Sequence, residues 1–282
     1  MNAASGATSD ALAALSPAVI AVAIEANPVE YWRACAPHLP RVAIDDGPEL
    51  FRFVTGIPFA PLNQVVSADL PVEGIDARID ETLAVFKERR APMLWSLSPS
   101  TRPADLGSRL EGRGLANAGT MTGMAATLDA LPETTPAPPD LTIDRVTDLA
   151  TLDQWRHAYT AGFEMSDFEG QAFFSLYASI GLGDDAPFRH YVGLLRGQPV
   201  ASSTVFLGTN AAGVWHVATV PPARRQGIGA AMTLAPMRDA RSLGYRVATL
   251  YSAASGMGLG VYRQLGFAEY LTLTQYSWTP GA

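Results

Sequence analysis

Between Val214 and Met232 the chain reads VWHVATVPPARRQGIGAAM. A β-branched and aromatic run stops at two prolines. Two arginines follow, and Gly227, Ile228 and Gly229 then open a stretch of small apolar residues. A strand, a basic glycine turn and a helix start, in that order, can hold a pyrophosphate. The amides of a helix N-terminus have no internal partner, and the helix dipole adds partial positive charge there. Glycines let the backbone close on an anion without a Cβ in the way, and Arg224 and Arg225 add charge beside it. Other readings compete. A dinucleotide-binding fingerprint needs a third glycine at position 232, which holds Met, and a strand in a βαβ unit. A nucleoside-triphosphate loop needs a lysine that this segment lacks. A bare turn followed by a glycine-softened helix start needs no ligand at all.

Elements must place this turn. The Pro- and Thr-rich stretch LPETTPAPPD, Leu131 to Asp140, reads as an extended linker between two halves of ordinary domain size. After it, LTIDRV alternates as a strand. Thr147 serves as a plausible N-cap for a helix bearing Leu149, Leu152, Trp155 and Tyr159, and DFEGQAFFSLYASI is a second helix. RHYVGLL, VASSTVFLG and VWHVATV, joined by tight turn signals, predict an antiparallel meander. The helix after the glycine turn ends at Gly244. Pro236 lies in its middle, where a kink or an interruption is expected. YRVATLYSA is the next strand, GLGVYRQLG a short helix, and FAEYLTLTQYSW one or two final strands. The order is β-α-α-β-β-β-α-β-α-β-β, a mixed α/β class with a mostly antiparallel sheet and flanking helices.

Arg224-x-x-Gly227-x-Gly229, directly after a strand ending V-x-P, resembles motif A of the GNAT (Gcn5-related) N-acetyltransferases. SGMGLGVYRQLGF, Ser255 to Phe267, resembles motif B: Tyr262 and QLGF match, and Ser255 stands where many members have Asn. The two motifs occur in the expected order and cover the C-terminal half. The resemblance implies an acyl-CoA-dependent N-acyltransferase, acetyl-CoA being the usual co-substrate, that moves the acyl group to a primary amine by direct attack with no covalent intermediate and no metal.

The resemblance also implies roles. The strand before the turn would splay from its neighbour and bind pantetheine along Ala218, Thr219 and Val220, with Thr219 and Val220 meeting its amides. The amides of Arg225, Gln226, Gly227, Ile228, Gly229 and Ala230, with Arg224 alongside, would hold the pyrophosphate. Ser255 would orient a water or the cofactor. Tyr262 would protonate the departing thiolate, and an amide near Val217 or Ala218 would stabilise the oxyanion. His216, on the same strand, is a candidate for the base. It can equally be a buried structural histidine, and Glu164, Asp167 and Glu169 are alternatives. A different class, a non-catalytic acyl-CoA-binding sensor, would share the cofactor site.

The first half carries no motif A. It offers strand, helix, strand, helix and strand in PLNQVVSADL, IDARIDETLAVFKERR, PMLWSLS, PADLGSRLEGRG and TMTGMAATL. Its strand-to-helix connection presents Asp69, Glu73 and Asp76, which repel a pyrophosphate. The layout resembles the degenerate repeat of tandem members, giving two expected domains, 1–135 and 136–282.

With 282 residues, 48% apolar composition and a net charge of −7, the chain is a globular protein and not a general nucleic-acid binder. Cys35 is the only cysteine, which excludes an intramolecular disulfide. ALAALSPAVIAVAIEA near the start lacks the basic flank of a signal peptide and is interrupted by Pro17 and Glu25. No apolar run reaches membrane-spanning length. The expectation is a cytoplasmic monomer or homodimer with a small-molecule amine or a peptide N-terminus as acceptor, and neither nucleic acid nor membrane as partner.

Overall fold

A computed structural model of the chain describes residues 16–254, 256 and 258–281. The chain folds as two compact units, each assembled from separated segments. One takes Met1–Tyr31 with Gly123–Tyr270, the other Trp32–Thr122 with Leu271–Ala282. They do not follow the halves expected from the linker. The physical reason is an exchange of strands. The last strand of the first half, β5 (Ala116–Thr127), supplies Gly123–Thr127 to the larger unit beside β10 (Val247–Ala253). The last strand of the chain, β11 (Ala268–Trp278), pairs Thr274–Trp278 with β4 (Met93–Leu97) of the smaller unit.

The smaller unit pairs β1 (Ala43–Asp46), β2 (Leu50–Val54) and β3 (Asn63–Ala68) as an antiparallel meander. Helix α2 (Ile75–Glu88) then crosses over to β4, which is parallel to β3 through two pairs, Gln64↔Leu94 and Val65↔Trp95. Ile75, Ile79, Leu83 and Phe86 recur at helical spacing and are buried, packing with Leu110 of the short α3 (Leu106–Glu111) and with Trp95. Strands β1 and β2 were not anticipated, because five charges of mixed sign between Arg41 and Arg52 mask the alternation.

The larger unit holds β6 (Leu141–Arg145), β7 (Phe188–Leu195), β8 (Gln198–Leu207) and β9 (Ala212–Thr219), all antiparallel neighbours, with β10 beyond β9. Helices α4 (Leu149–Gly162) and α5 (Asp167–Ile180) each start on a capping box, Asp148 with Thr151 and Ser166 with Glu169. The first N-cap is thus Asp148, not Thr147. Helix α6 (Ile228–Ser242) is continuous through Pro236, where tertiary packing of a fully inward-facing stretch (Met232, Leu234, Met237) outweighs the missing hydrogen bond. Helix α7 (Gly258–Gln264) precedes β11.

Helix α1 (Pro17–Cys35) is the largest departure from expectation. The apolar segment that fails the signal-peptide test is, over its described part, the start of this helix, where Ile20 and Ile24 are buried, as is Tyr31 further along it. The linker departs too. Leu131 is buried, Pro132 accepts from Arg238 of α6 (3.2 Å), and the Pro136 carbonyl stands directly over Gly227. It is a docked strap, not a free spacer.

The α1 contact generates a test. Asn27 Oδ1 accepts from Trp215 Nε1 (3.2 Å), and a Cβ added to Gly213 would meet that same oxygen at 2.0 Å. Gly213→Ala therefore destabilises by about 1–3 kcal/mol through overpacking. The melting temperature falls by several degrees, and the loss is smaller in an Asn27→Ala background. Equal losses in both backgrounds would show that α1 does not bear on the strand.

Candidate functional site

The site is built where β9 stops being a ladder strand. β9 pairs in parallel with β10 at two positions, Ala212↔Ala248 and Gly213↔Thr249, and the two then diverge. On its other side β9 keeps pairing with β8, but with a bulge: Ser202 faces Ala218 and Thr204 faces Trp215, so Ser203 stands opposite two residues, His216 and Val217. Bulges bend a strand and redirect its backbone groups. His216 adopts φ +54°, the left-handed region, which costs a non-glycine residue about 1–3 kcal/mol and persists only where its surroundings enforce it.

Beyond Thr219 the chain makes a single 3₁₀ turn, Pro221–Ala223, and enters α6 through a left-handed Arg225 (φ +62°) and a left-handed Gly227 (φ +82°). Successive turn residues of this kind aim amides into one concavity. Among the described residues, none accepts from the amides of Arg225, Gln226, Gly227, Ile228 or Gly229, whereas the Ala230 amide already donates to the Gly227 carbonyl (3.1 Å). Five donors, not six, are thus available to an anion. The two glycines differ. Gly227 is obligatory to the fold, because a Cβ there would meet the Pro136 oxygen at 1.9 Å and φ is positive. Gly229 has ordinary helical backbone, and a Cβ would meet only Thr219 Oγ1 at 3.9 Å. Neither packing nor conformation demands glycine at 229, yet it costs about 1 kcal/mol relative to alanine inside a helix. Its absent side chain keeps the mouth of the turn open.

Helix α2 of the smaller unit starts in the same way, on a left-handed Gly74 (φ +73°). Two residues on, where α6 has Gly229, α2 has Asp76, whose carboxylate binds Arg109 (3.0 Å) and Arg113 (2.9 Å) of the following helix segment. Those hydrogen bonds hold its carboxyl below the usual carboxylate range. A fixed anion already stands at that helix start.

Arg224 does not point at the turn. Its guanidinium binds the Thr219 carbonyl (3.1 Å), the Gly162 carbonyl at the end of α4 (2.9 Å) and Glu164 (3.0 Å), clamping α4 against the end of β9. Gly162 permits that approach, since a Cβ there would lie 2.7 Å from the Ala218 Cβ. The side chains of Arg225 and Gln226 are exposed beside the turn. Two groups expected to meet pantetheine are likewise engaged: the Thr219 carbonyl by Arg224, and the Val220 amide by the Val200 carbonyl (2.9 Å). Alternation leaves the Thr219 amide on the edge away from β8. Ala218 is buried within β9. Ser255 lies outside the described residues.

Tyr262 sits in α7 with its ring against Gly258, where a Cβ would be 2.8 Å away, and edge-on to Phe267 (5.9 Å between centroids). Burial pushes its pKa up to about 12. The phenol is protonated at neutral pH, and its hydroxyl makes no hydrogen bond among the described residues.

His216 is half-buried in an aromatic cluster of Tyr31, Trp155, Tyr159, Phe173 and Tyr177. Its Nε2 lies 3.0 Å from the Tyr31 hydroxyl and 2.8 Å from the Tyr177 hydroxyl, which are 2.6 Å from each other. Burial lowers its pKa to about 3. Of the two expected readings of His216, a base on the strand and a buried structural histidine, this environment resembles the second, and the imidazole is neutral at neutral pH. The acidic alternatives separate as well. Glu164 pairs with Arg224, Glu169 closes the α5 capping box, and Asp167 is exposed at the first turn of α5. Tyr31, Tyr177 and the buried His190, whose Nδ1 lies 2.9 Å from Thr204 Oγ1, escaped the sequence reading. No short-range signal marks them, since each sits on an apolar stripe that reads as core. Among the described residues, no cluster of three His, Cys, Asp or Glu side chains could hold a metal, and no helix is long and apolar enough to cross a membrane.

Two neutral histidines make stability depend on pH. In His190, burial and then the neighbouring His216 lower the pKa to about 3, against about 6.5 when unfolded. Between those values the unfolded chain binds more protons, so this stability is complete above pH 6.5 and is lost as pH falls. For His190 the slope reaches up to about 1.4 kcal/mol per pH unit. The urea midpoint is expected to drop between pH 7.5 and 5.5, with a smaller drop in His190→Gln. A flat profile would show that the cluster admits protons freely.

No family model matches the sequence, and a search of curated proteins found no match. Solved structures do match. A GCN5-related N-acetyltransferase from Kribbella flavida aligns with a TM-score of 0.69 at 18% identity, covering 92% of this chain and 96% of that one. One from Sphaerobacter thermophilus gives 0.62 at 15% identity over 85% and 84%. A tandem GNAT protein from the clavulanic acid biosynthesis pathway gives 0.59 at 14% identity over 86% and 85%. With its meander, its parting strands and its glycine turn, the chain has the fold of the GCN5-related N-acetyltransferases.

Proposed function

We propose that the chain is an acyl-CoA-dependent N-acyltransferase that carries an acetyl group from acetyl-CoA to a primary amine by direct attack. A small-molecule amine or a peptide N-terminus is the acceptor. The supporting observation is the continuity of two sets of unpartnered backbone groups: the edge of β9 that leaves β10, and the amides of Arg225 to Gly229 at its end. A diphosphate satisfies the second set, and the adjoining pantetheine chain satisfies the first. Arg225 and Gln226 flank the phosphates. The smaller unit reads as a degenerate repeat whose Asp76 excludes a second phosphate.

When bound, the thioester supplies an activated acyl carbonyl. The residues of this chain do the rest. The Val217 amide, at the bulge, stabilises charge on the carbonyl oxygen. Tyr262, kept neutral by burial, gives its proton to the departing sulfur. The amine attacks in its neutral form after losing its proton to solvent, and His216 serves geometry, not proton uptake. The acyl carbon forms one bond to nitrogen and breaks one to sulfur, and the proton that the nitrogen sheds as it becomes an amide restores the Tyr262 phenol.

The experiment pairs binding with turnover. Acetyl-CoA raises the melting temperature of the wild type, and free CoA thiol appears when an amine library is added. Stabilisation without thiol release from any amine would assign a sensor instead. No stabilisation at all would end the proposal. Gly229→Leu keeps or raises the ligand-free melting temperature but weakens acetyl-CoA binding by about tenfold or more, a loss of about 1.4 kcal/mol. Unchanged affinity would remove the phosphate from this turn. Tyr262→Phe lowers turnover by about a hundredfold while sparing binding. Equal loss of both would make the tyrosine structural.

A further inference from the structure

The hydroxyl triangle beneath the β9 bulge has no part in ladder pairing, in capping or in the reactions assigned above. Three anchors converge on one residue. Ser202 Oγ donates to the His216 carbonyl (3.0 Å), and the hydroxyls of Tyr31 and Tyr177 meet its ring nitrogen. They come from β8, α1 and α5, three separate elements. Trp155 of α4 adds a fourth hold on the same place by donating from Nε1 to the carbonyl of Ser203, the residue that the bulge opposes (3.1 Å). α1 is in turn fixed to the β8–β9 hairpin: Asn27 Nδ2 donates to the Ala211 carbonyl (3.3 Å), and Glu30 accepts from the Thr209 amide (2.7 Å).

Stability alone does not call for this arrangement. Replacing a buried hydrogen-bonded pair by apolar groups of the same shape is close to neutral, and phenylalanines would fill an aromatic cluster equally well. A satisfied polar network in a dry cluster instead selects one geometry among several. The geometry selected is a left-handed histidine in mid-strand, which sets the direction of the Val217 amide that follows it.

We infer that Tyr31 and Tyr177 are positioning residues: by hydrogen-bonding Nε2 of His216 they hold the β9 bulge, and with it the Val217 amide, in the orientation that meets the acyl carbonyl. The inference rests on the reading of the β9–β10 gap as the acyl-CoA site. It also makes Tyr31, 185 positions away in sequence from His216, part of the machinery.

The test uses the full-length chain, its Tyr31→Phe and Tyr177→Phe variants and the double variant, with acetyl-CoA carrying ¹³C at the acetyl carbonyl. In the wild type the bound carbonyl resonance moves downfield from its free position, the signature of a hydrogen bond to its oxygen. In the double variant that displacement is lost and the Val217 amide resonance moves, while affinity for acetyl-CoA and the resonances of the Gly227–Gly229 amides stay as they were. A wild type without the displacement, or a double variant that keeps it along with the Val217 resonance, overturns the inference and leaves the proposed function standing. A wild type that does not bind the labelled acetyl-CoA ends the proposed function, and the Val217 resonance still decides whether the tyrosines hold the bulge. Should the double variant fail to fold, each single variant is read in the same way against the wild type.

Discussion

The structure turns on two neighbouring strands that part. β9 and β10 share two paired positions and then separate, leaving one edge of β9 without a sheet partner. A strand edge beside a core is costly unless something meets its donors and acceptors. Most of the larger unit keeps that edge open. Arg224 ties the end of β9 to the end of α4, Gly162 lets the two come close, and the strap through Pro136 fixes the start of α6 over the gap. The parting and the bare helix start lie next to each other along the chain, so the two sets of unmet backbone groups form one continuous surface.

The two faces of the larger unit divide the labour. On one, α6 packs an aliphatic layer of Ile228, Met232, Leu234 and Met237 against Val205, Val214 and Leu250, which sets the position of its own N-terminus. On the other, α1, α4 and α5 surround β9 with aromatic rings and a small number of hydroxyls. The low dielectric of that face explains why His190 and His216 are both neutral.

The glycine turn, the tyrosine in the short helix and the meander could be read from sequence, because each depends on residues close together in the chain. Helices α5 and α6 and strand β9 could be placed for the same reason. What escaped was non-local. The exchange of β5 and β11 leaves no mark in composition, and α1 was set aside as a leader without being placed as a helix, because a helix buried in a core is apolar on most sides and shows no clear stripe. Arg224 read as a phosphate ligand from its spacing, but its partners, Gly162 and Glu164, lie some sixty residues away. The same limit applies to His216. Residue type and strand position suggested a base, whereas burial lowers the pKa and the partners of its ring, Tyr31 and Tyr177, are joined to it by no sequence pattern.

The smaller unit supplies an internal contrast. Both crossover helices begin on a left-handed glycine after a strand that shares two parallel pairs with the next, so the backbone device is common to both. The difference is two positions on, a bare Gly229 in one case and an ion-paired Asp76 in the other. The central claim, that the free amides of Arg225 to Gly229 grip a diphosphate, is tested most directly by titrating the ¹⁵N-labelled chain with coenzyme A. The account predicts that these five amide resonances shift downfield together while that of Ile75 in α2 does not move. Saturable binding that leaves the five resonances in place would contradict it.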